Sequence, residues 1–369
     1  MTPVGELLLV LLIIYLCSCV LWVPRDRVIV AWSPFAGWSL RGARTLWGND
    51  RGGLFLQNPL PIFSAVELSP FPLSISPAGI SGRSPETYGT ENKAPARFVS
   101  FSELSNVTVA GSELHINGSY FVRARSEDAA RELKTVIERL QHSSTRREDI
   151  IRDFVRRALN FKQAEEQLLT ARRSIANLQV FCVVLGVELF VALPMATLRS
   201  GPNGLVWLFS ALVVTNLITV AMFYKTYRLF CSRKPPCTEL AMMLLCFPKT
   251  VRACDILTAE VTAQFHPLTF AAAVDKCLLQ TTAGRIMAEL TFSAEERNAA
   301  EQYFRATYTE TLQEQLRRVR IQSEQLLAAP DQKDPHSLSY CPLCHSQYRR
   351  FGVCTDCIDM PLQPFSQVK

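Results

Sequence analysis

The sequence predicts an α+β membrane protein with three transmembrane helices, a small β domain, a helical region and a C-terminal metal ribbon. Three observations carry this: three long stretches almost free of charge, a run of short alternating segments split by turn residues, and four cysteines in two C-x-x-C pairs near the C-terminal end. Composition agrees. Apolar residues make up 48% of the 369 residues and charged residues only 20%, a balance shifted toward lipid. The net charge of +6 is mild and dispersed, which excludes a dedicated nucleic-acid binder. With 16 Gly and 21 Pro in so apolar a chain, disorder and collagen are excluded as well.

The membrane segments come first. Residues 4–23 carry Glu6 as their only charge, residues 178–198 carry only Glu188, and residues 205–224 carry none, the third helix continuing to 227. Each matches the ~20 apolar residues that cross ~30 Å of hydrocarbon. The last two are joined by Arg199-Ser-Gly-Pro-Asn-Gly204, a turn signal that predicts a helical hairpin. A cleaved signal peptide in place of the first helix would need a basic start, which the chain lacks. A lipoprotein-type box at Leu16-Cys17-Ser18-Cys19 runs straight on into apolar 20–23. Arg25 and Arg27 follow the first segment, Arg172 and Arg173 precede the second, and Lys225, Arg228, Arg233 and Lys234 follow the third. By the positive-inside rule the N-terminus and the hairpin turn lie outside a cell membrane and the soluble parts are cytoplasmic. Glu188 and Asn216 fall at matching depth, about 16–18 Å from the turn at 1.5 Å per residue. A carboxyl at that depth needs a partner. The expectation is a protonated Glu188 bonded to Asn216 or Thr215, holding the hairpin together, with a proton or ion path as the functional alternative.

Residues 24–67 hold Trp32, Trp38, Trp47 and Asn58-Pro-Leu-Pro61, too punctuated for helices, and read as juxtamembrane strands and turns. Residues 72–80 read as one strand. Residues 98–101, 106–110, 113–116 and 120–123 read as four more, with hairpin turns at Gly111 and Asn117-Gly118. Ser126 caps a helix opened by Glu127 and Asp128, with Ala129, Leu133, Val136, Ile137 and Leu140 on its apolar face. This meander, closed by a helix with Ser126, Ala130, Leu133, Ile137 and Leu140 in its pattern, resembles the second half of a bacterial-type pleckstrin-homology-like (PH-like) domain over residues 68–142. The resemblance implies binding of proteins, peptides or lipid headgroups rather than catalysis. No basic cluster marks the strands, so phosphoinositide binding is not implied. Asn106 and Asn117 open glycosylation sequons that stay silent on the cytosolic side.

Residues 143–177 are charged with apolar residues interspersed and predict one helix that packs on its own domain or pairs as a coiled coil. Residues 239–247 are apolar but too short to span, and are expected to lie in the membrane interface or be buried. They open a cytosolic helical region, 239–328, with a break at His266-Pro267 and a capping box at Ser293 and Glu296 starting a helix over 294–327. Tyr303, Tyr308, Leu312, Leu316 and Val319 form its uneven stripe. Residues 329–338 read as a linker.

Of twelve cysteines, Cys17, Cys19 and Cys182 read as membrane filler, and Cys231, Cys237, Cys246, Cys254 and Cys277 lack metal-ligand spacing. Cys341, Cys344, Cys354 and Cys357 have it. Two knuckles each aim two thiolates at one point and fill a tetrahedral Zn²⁺ shell, leaving no open position, so the ion is structural. Cys341-Pro-x-Cys344, Tyr348-Arg349, Gly352, Cys354-x-Asp-Cys357 and Pro361-Leu362 resemble the C-terminal zinc ribbons of many bacterial proteins over residues 339–363. His345 stands where Gly is usual, and the gap from Cys357 to Pro361 is longer than usual by one residue. Cys341-x-x-Cys344-His345 also fits haem attachment, which leaves Cys354 and Cys357 without a role. Dithiol redox chemistry lacks its βαβ context.

No nucleophile–base pair, phosphate loop or carboxylate dyad is present in the sequence. The expected function is therefore non-enzymatic: a multi-pass scaffold or regulator in the bilayer that presents interaction modules to a cytosolic protein partner, with homo-oligomers allowed. A small channel or transporter component using Glu188 is the alternative.

Overall fold

The computed structural model describes residues 3–24, 28–33, 37–40, 45–49, 52–56, 64–68, 73–82, 97–199, 202–231, 234–292, 298–357 and 360–365. It is α+β and divides into two compact units, one of residues 1–70 and 166–265, the other of 71–165 and 266–369.

The chain opens with α1 (Pro3–Ser18). Its 16 residues reach about 24 Å at 1.5 Å per residue. The helix stops where Cys19 N–H turns back to Leu16 O, and Val20 enters a strand. The expected span over 4–23 is thus corrected. Its β-branched end is taken by strand pairing, and among the described residues two helices, not three, are long and apolar enough to cross a membrane. Strands β1 (Val20–Pro24), β2 (Val28–Ser33), β3 (Gly37–Leu40), β4 (Thr45–Asn49), β5 (Gly52–Leu56) and β6 (Ser64–Leu68) form two antiparallel three-stranded sheets, β1-β5-β4 and β3-β2-β6.

The second unit begins with β7 (Leu73–Ile75), β8 (Gly79–Gly82) and β9 (Arg97–Ser100) in one sheet. The expected single strand over 72–80 is two, because Ser76 closes a tight turn in which its N–H and hydroxyl both donate to Gly79 O. Strands β10 (Val107–Ala110), β11 (Glu113–Ile116) and β12 (Ser119–Arg123) form the next sheet. Its turn at Asn117 (φ 52°) and Gly118 (φ 76°) is left-handed at both positions, the backbone that a two-residue hairpin demands. Asn117 is a fixed turn residue: its Oδ1 accepts from Ser105 N–H at 2.9 Å and its Nδ2 donates to Glu103 O at 2.8 Å. Helix α2 (Glu127–His142) is capped by Ser126, which accepts from Ala129 N–H, and buries Ala130, Leu133, Val136, Ile137 and Leu140; Ala130 takes the place expected of Ala129. The charged helix is also two. α3 (Arg147–Ala158) ends at Leu159, and Asn160 Oδ1 accepts from Gln163 N–H to start α4 (Phe161–Val187). Ile151, Phe154 and Val155 are buried within the unit, so this helix face packs intramolecularly and no coiled coil is present among the described residues.

Helix α4 passes into a π turn over Glu188–Ala192, followed by α5 (Leu193–Arg199). Helix α6 (Pro202–Phe230) follows. The candidate spans are Phe161–Ala196 and Val206–Phe230. Then come α7 (Cys237–Leu245), α8 (Phe247–Val251) and α9 (Ala253–Thr262). Tyr15, Cys19, Leu185, Leu189, Leu212 and Val251 form the apolar core of this unit.

In the second unit the break at His266-Pro267 is present, with α10 (Pro267–Val274) capped by the His266 ring, which accepts from Leu268 N–H. Helix α11 (Lys276–Phe292) precedes α12 (Ala299–Arg318). The capping box belongs to Asn298 and Glu301; Ser293 and Glu296 lie outside the described residues. Helix α12 buries Phe304, Tyr308, Thr311, Leu312 and Leu316. It stops short of 327, at Arg318, beyond which Arg320 turns left-handed (φ 58°) before the single turn α13 (Ser323–Leu326).

Candidate metal centre

The ribbon is built on β13 (Ser339–Tyr340), β14 (Gln347–Tyr348) and β15 (Gln363–Pro364), paired β14-β13-β15. The first knuckle leaves β13 at Cys341, and its return is fixed by His345 N–H to Cys341 O and Cys341 N–H to Ser346 O, both 2.9 Å. His345 takes φ 59°. That left-handed geometry is one that glycine, the residue expected at this position, reaches without steric cost. The second knuckle is closed by Cys354 N–H to Met360 O and Met360 N–H to Cys357 O.

All four Sγ atoms of Cys341, Cys344, Cys354 and Cys357 lie within 4.8 Å of one another. Cys344 and Cys354 are 3.7 Å apart. A tetrahedral ion with ~2.3 Å bonds to sulfur has edges of about 3.8 Å, so the residues fit a metal. Backbone N–H groups already face the sulfurs, Leu343 to Cys341 at 3.4 Å and Cys357 to Cys354 at 3.3 Å. The bond from Cys357 outweighs burial and, with the Cys344 and Leu343 N–H groups, holds Cys341 down at about 5. The same bond, with burial, pushes Cys357 up. The site thus favours thiolate at Cys341 by its own geometry. Cys341, Cys354, Met360 and Leu362 are buried around it, with Phe292, Leu343 and Tyr348 packed against them.

Sequence reasoning placed Tyr348 and Arg349 in the ribbon pattern but assigned them no contacts, and the structure supplies these. The Tyr348 hydroxyl lies 3.1 Å from Cys354 Sγ, an outer-shell contact of the kind that orients ligands. The expected linker is a strap on the ribbon: Gln347 Nε2 donates to Asp331 O at 2.6 Å and Arg349 pairs with Asp334 at 2.9 Å. Asp331, Asp334 and Gln347, the other partners in the strap, leave no spacing signal in the sequence.

The pair expected at membrane depth, Glu188 and Asn216, is only half as expected. Thr215 Oγ1 donates to Glu188 Oε1 at 3.2 Å, whereas Asn216 Nδ2 donates to Met243 O at 3.4 Å. Asn216 is therefore directed at α7 and not at Glu188. Glu188 Oε2 and Asn216 Oδ1 are buried acceptors without a donor, and the π turn starts at Glu188. A buried polar contact also joins His266 Nε2 to the Tyr308 hydroxyl at 3.2 Å. Burial, and then the Arg125 cation, hold His266 well below the usual imidazole range. No disulfide joins any of the twelve cysteines among the described residues, and Cys231 Sγ instead accepts from Gln264 Nε2 at 3.8 Å.

No known protein family, no curated protein and no solved structure matches the chain.

Proposed function

We propose that this protein is a multi-pass membrane scaffold or regulator that presents cytosolic interaction modules, one of them a ribbon held by a structural Zn²⁺. The observation that supports this most directly is the closed set of four thiolates. Four protein sulfurs satisfy a tetrahedral ion and leave no position for substrate, so its contribution is folding energy. Zn²⁺ is the ion of choice for such a shell where no iron chemistry is needed. Cys341, Cys344, Cys354 and Cys357 would hold it, and Tyr348 would orient Cys354.

The membrane part of the reading rests on Val206–Phe230 and the apolar half of α4, which leave Val180, Val187, Trp207, Phe209, Val214 and Leu217 exposed. The basic residues around the hairpin support a reading in which its turn is outside and the ribbon in the cytosol. The PH-like reading of residues 68–142 is supported by the two small sheets followed by α2, and its role would be to bind a cytosolic protein. Proximity labelling from a C-terminal fusion should recover a stable cytosolic partner that is lost on Cys354→Ser. The same partners from wild type and variant would refute the docking role of the ribbon.

A second reading, an ion or proton path, rests on Glu188 Oε2 and Asn216 Oδ1 as buried acceptors. Ion flux in reconstituted vesicles that disappears in Glu188→Gln would put it ahead of the scaffold.

A further inference from the structure

The sequence places everything after the hairpin in the cytosol. The contacts of residues 234–264 place the middle of that stretch elsewhere. Gln264 Nε2 donates to Phe230 O at 2.8 Å, so the segment returns to the end of α6 that it left. Between those points it reaches deep along the same helix. Asn216 bonds Met243 O, and the Phe209 and Phe247 rings sit 6.3 Å apart. Val251 shares a core with Leu185, Leu189 and Leu212. On the α4 side, Cys182 Sγ donates to Thr250 O at 3.7 Å. Asn216 lies about 21 Å along α6 from Phe230, and the return from Val251 to Gln264 covers about 20 Å at 1.5 Å per residue. The two lengths agree with a segment that enters and leaves at one level.

Its chemistry suits the same surroundings. Four charges near its tip pair two and two: Lys249 with Glu239 at 2.9 Å and Arg252 with Asp255 at 2.8 Å, the latter side chains 5% and 9% exposed. The Thr250 hydroxyl donates to Met243 O. The outer face is apolar and open, with Leu245 84%, Met242 49% and Leu244 43% exposed. Helices α4 and α6 carry exposed apolar residues as well, Val180, Val214 and Leu217 being 60%, 54% and 51% exposed. Broken helices at membrane depth are tolerated where their free backbone groups are met by neighbouring helices, as Met243 O is here.

We propose that residues 234–264 form a re-entrant element that dips into the bilayer beside the α4–α6 hairpin, with Met242, Leu244 and Leu245 against lipid acyl chains. This rests on the hairpin spanning the membrane, and the test separates the two. Full-length protein in inside-out membrane vesicles is treated with a lipid-soluble carbene reagent and, in parallel, with a membrane-impermeant maleimide, and modified sites are mapped by mass spectrometry. The expected result is carbene labelling of the Met242–Leu245 peptide at the level of the Val214–Ile218 peptide and well above α12. Maleimide should modify Cys237, and Cys246 only after detergent is added. Carbene labelling of α6 without α7, or equal maleimide access to Cys237 and Cys246, would overturn the re-entrant element and leave the hairpin standing. Absence of carbene label from α6 and α7 alike would overturn both.

Discussion

Helices α6 and α2 draw on the same apolar residue types and place them in opposite ways. On α6, Val214, Leu217 and Ile218 are 54%, 51% and 41% exposed; on α2, Leu133, Val136, Ile137 and Leu140 are at most 4% exposed. Helix α2 is amphipathic and turns charge to water, whereas Val206–Phe230 is apolar around most of its circumference and buries little of it. A helix apolar all round must be enclosed by protein or by lipid. The contrast shows that what surrounds each helix, not the residues' hydrophobicity, decides where they end up.

The comparison can be broken at several points, the largest effect first. The ribbon is the extreme case of a core that water-facing folding alone does not supply. Removing one of its ligands with Cys354→Ser, or stripping the ion with a chelator, should forfeit binding energy on the order of 10 kcal/mol. Metal stoichiometry should fall and residues 339–365 should become protease-sensitive, with α6 unaffected. Next, Leu140→Ala on α2 should destabilise by about 2–5 kcal/mol, while Leu217→Ala on α6 stays within about 0.5 kcal/mol. Equal shifts in thermal unfolding would erase the distinction between the two helices.

A pH effect follows. Burial first, and the Arg125 cation second, keep the His266 ring neutral in the folded state beside Tyr308. The unfolded chain takes up a proton near pH 6.5, so stability is present above that pH and falls as pH drops below it. His266→Gln should flatten the melting temperature against pH whatever its absolute stability; an unchanged slope would mean another group titrates. Among the losses expected on the water-facing side, Ser126→Ala is a small one, about 1 kcal/mol through loss of the cap on Ala129 N–H, seen as a modest drop in the denaturation midpoint.

Where local signals act, the sequence was legible. Strands β10 to β12 and the turns at Gly111 and Asn117-Gly118 follow from alternation and turn chemistry, and the four thiolates from spacing alone. Signals that depend on a distant partner were not. Helix α1 ends early because Val20–Pro24 pairs with Gly52–Leu56. The break at Asn160 is the exception, a local cap on Gln163 N–H that the run of charge and apolar residues around it masked. Residues 239–247 read as too short to span, and hydropathy has no way to report that Asn216 reaches Met243 O from another helix.

The π turn at Glu188–Ala192 has a consequence for chain length. A wider turn houses one residue more than an α turn over a similar rise, so every side chain after Ala192 is rotated by about 100° from where an unbroken helix would present it. Deleting a single residue there should narrow the turn and swing Leu193, Pro194 and Met195 onto another side. Pro194 has no N–H to return to that turn, so the shortened chain changes its facing without gaining a full set of helical hydrogen bonds.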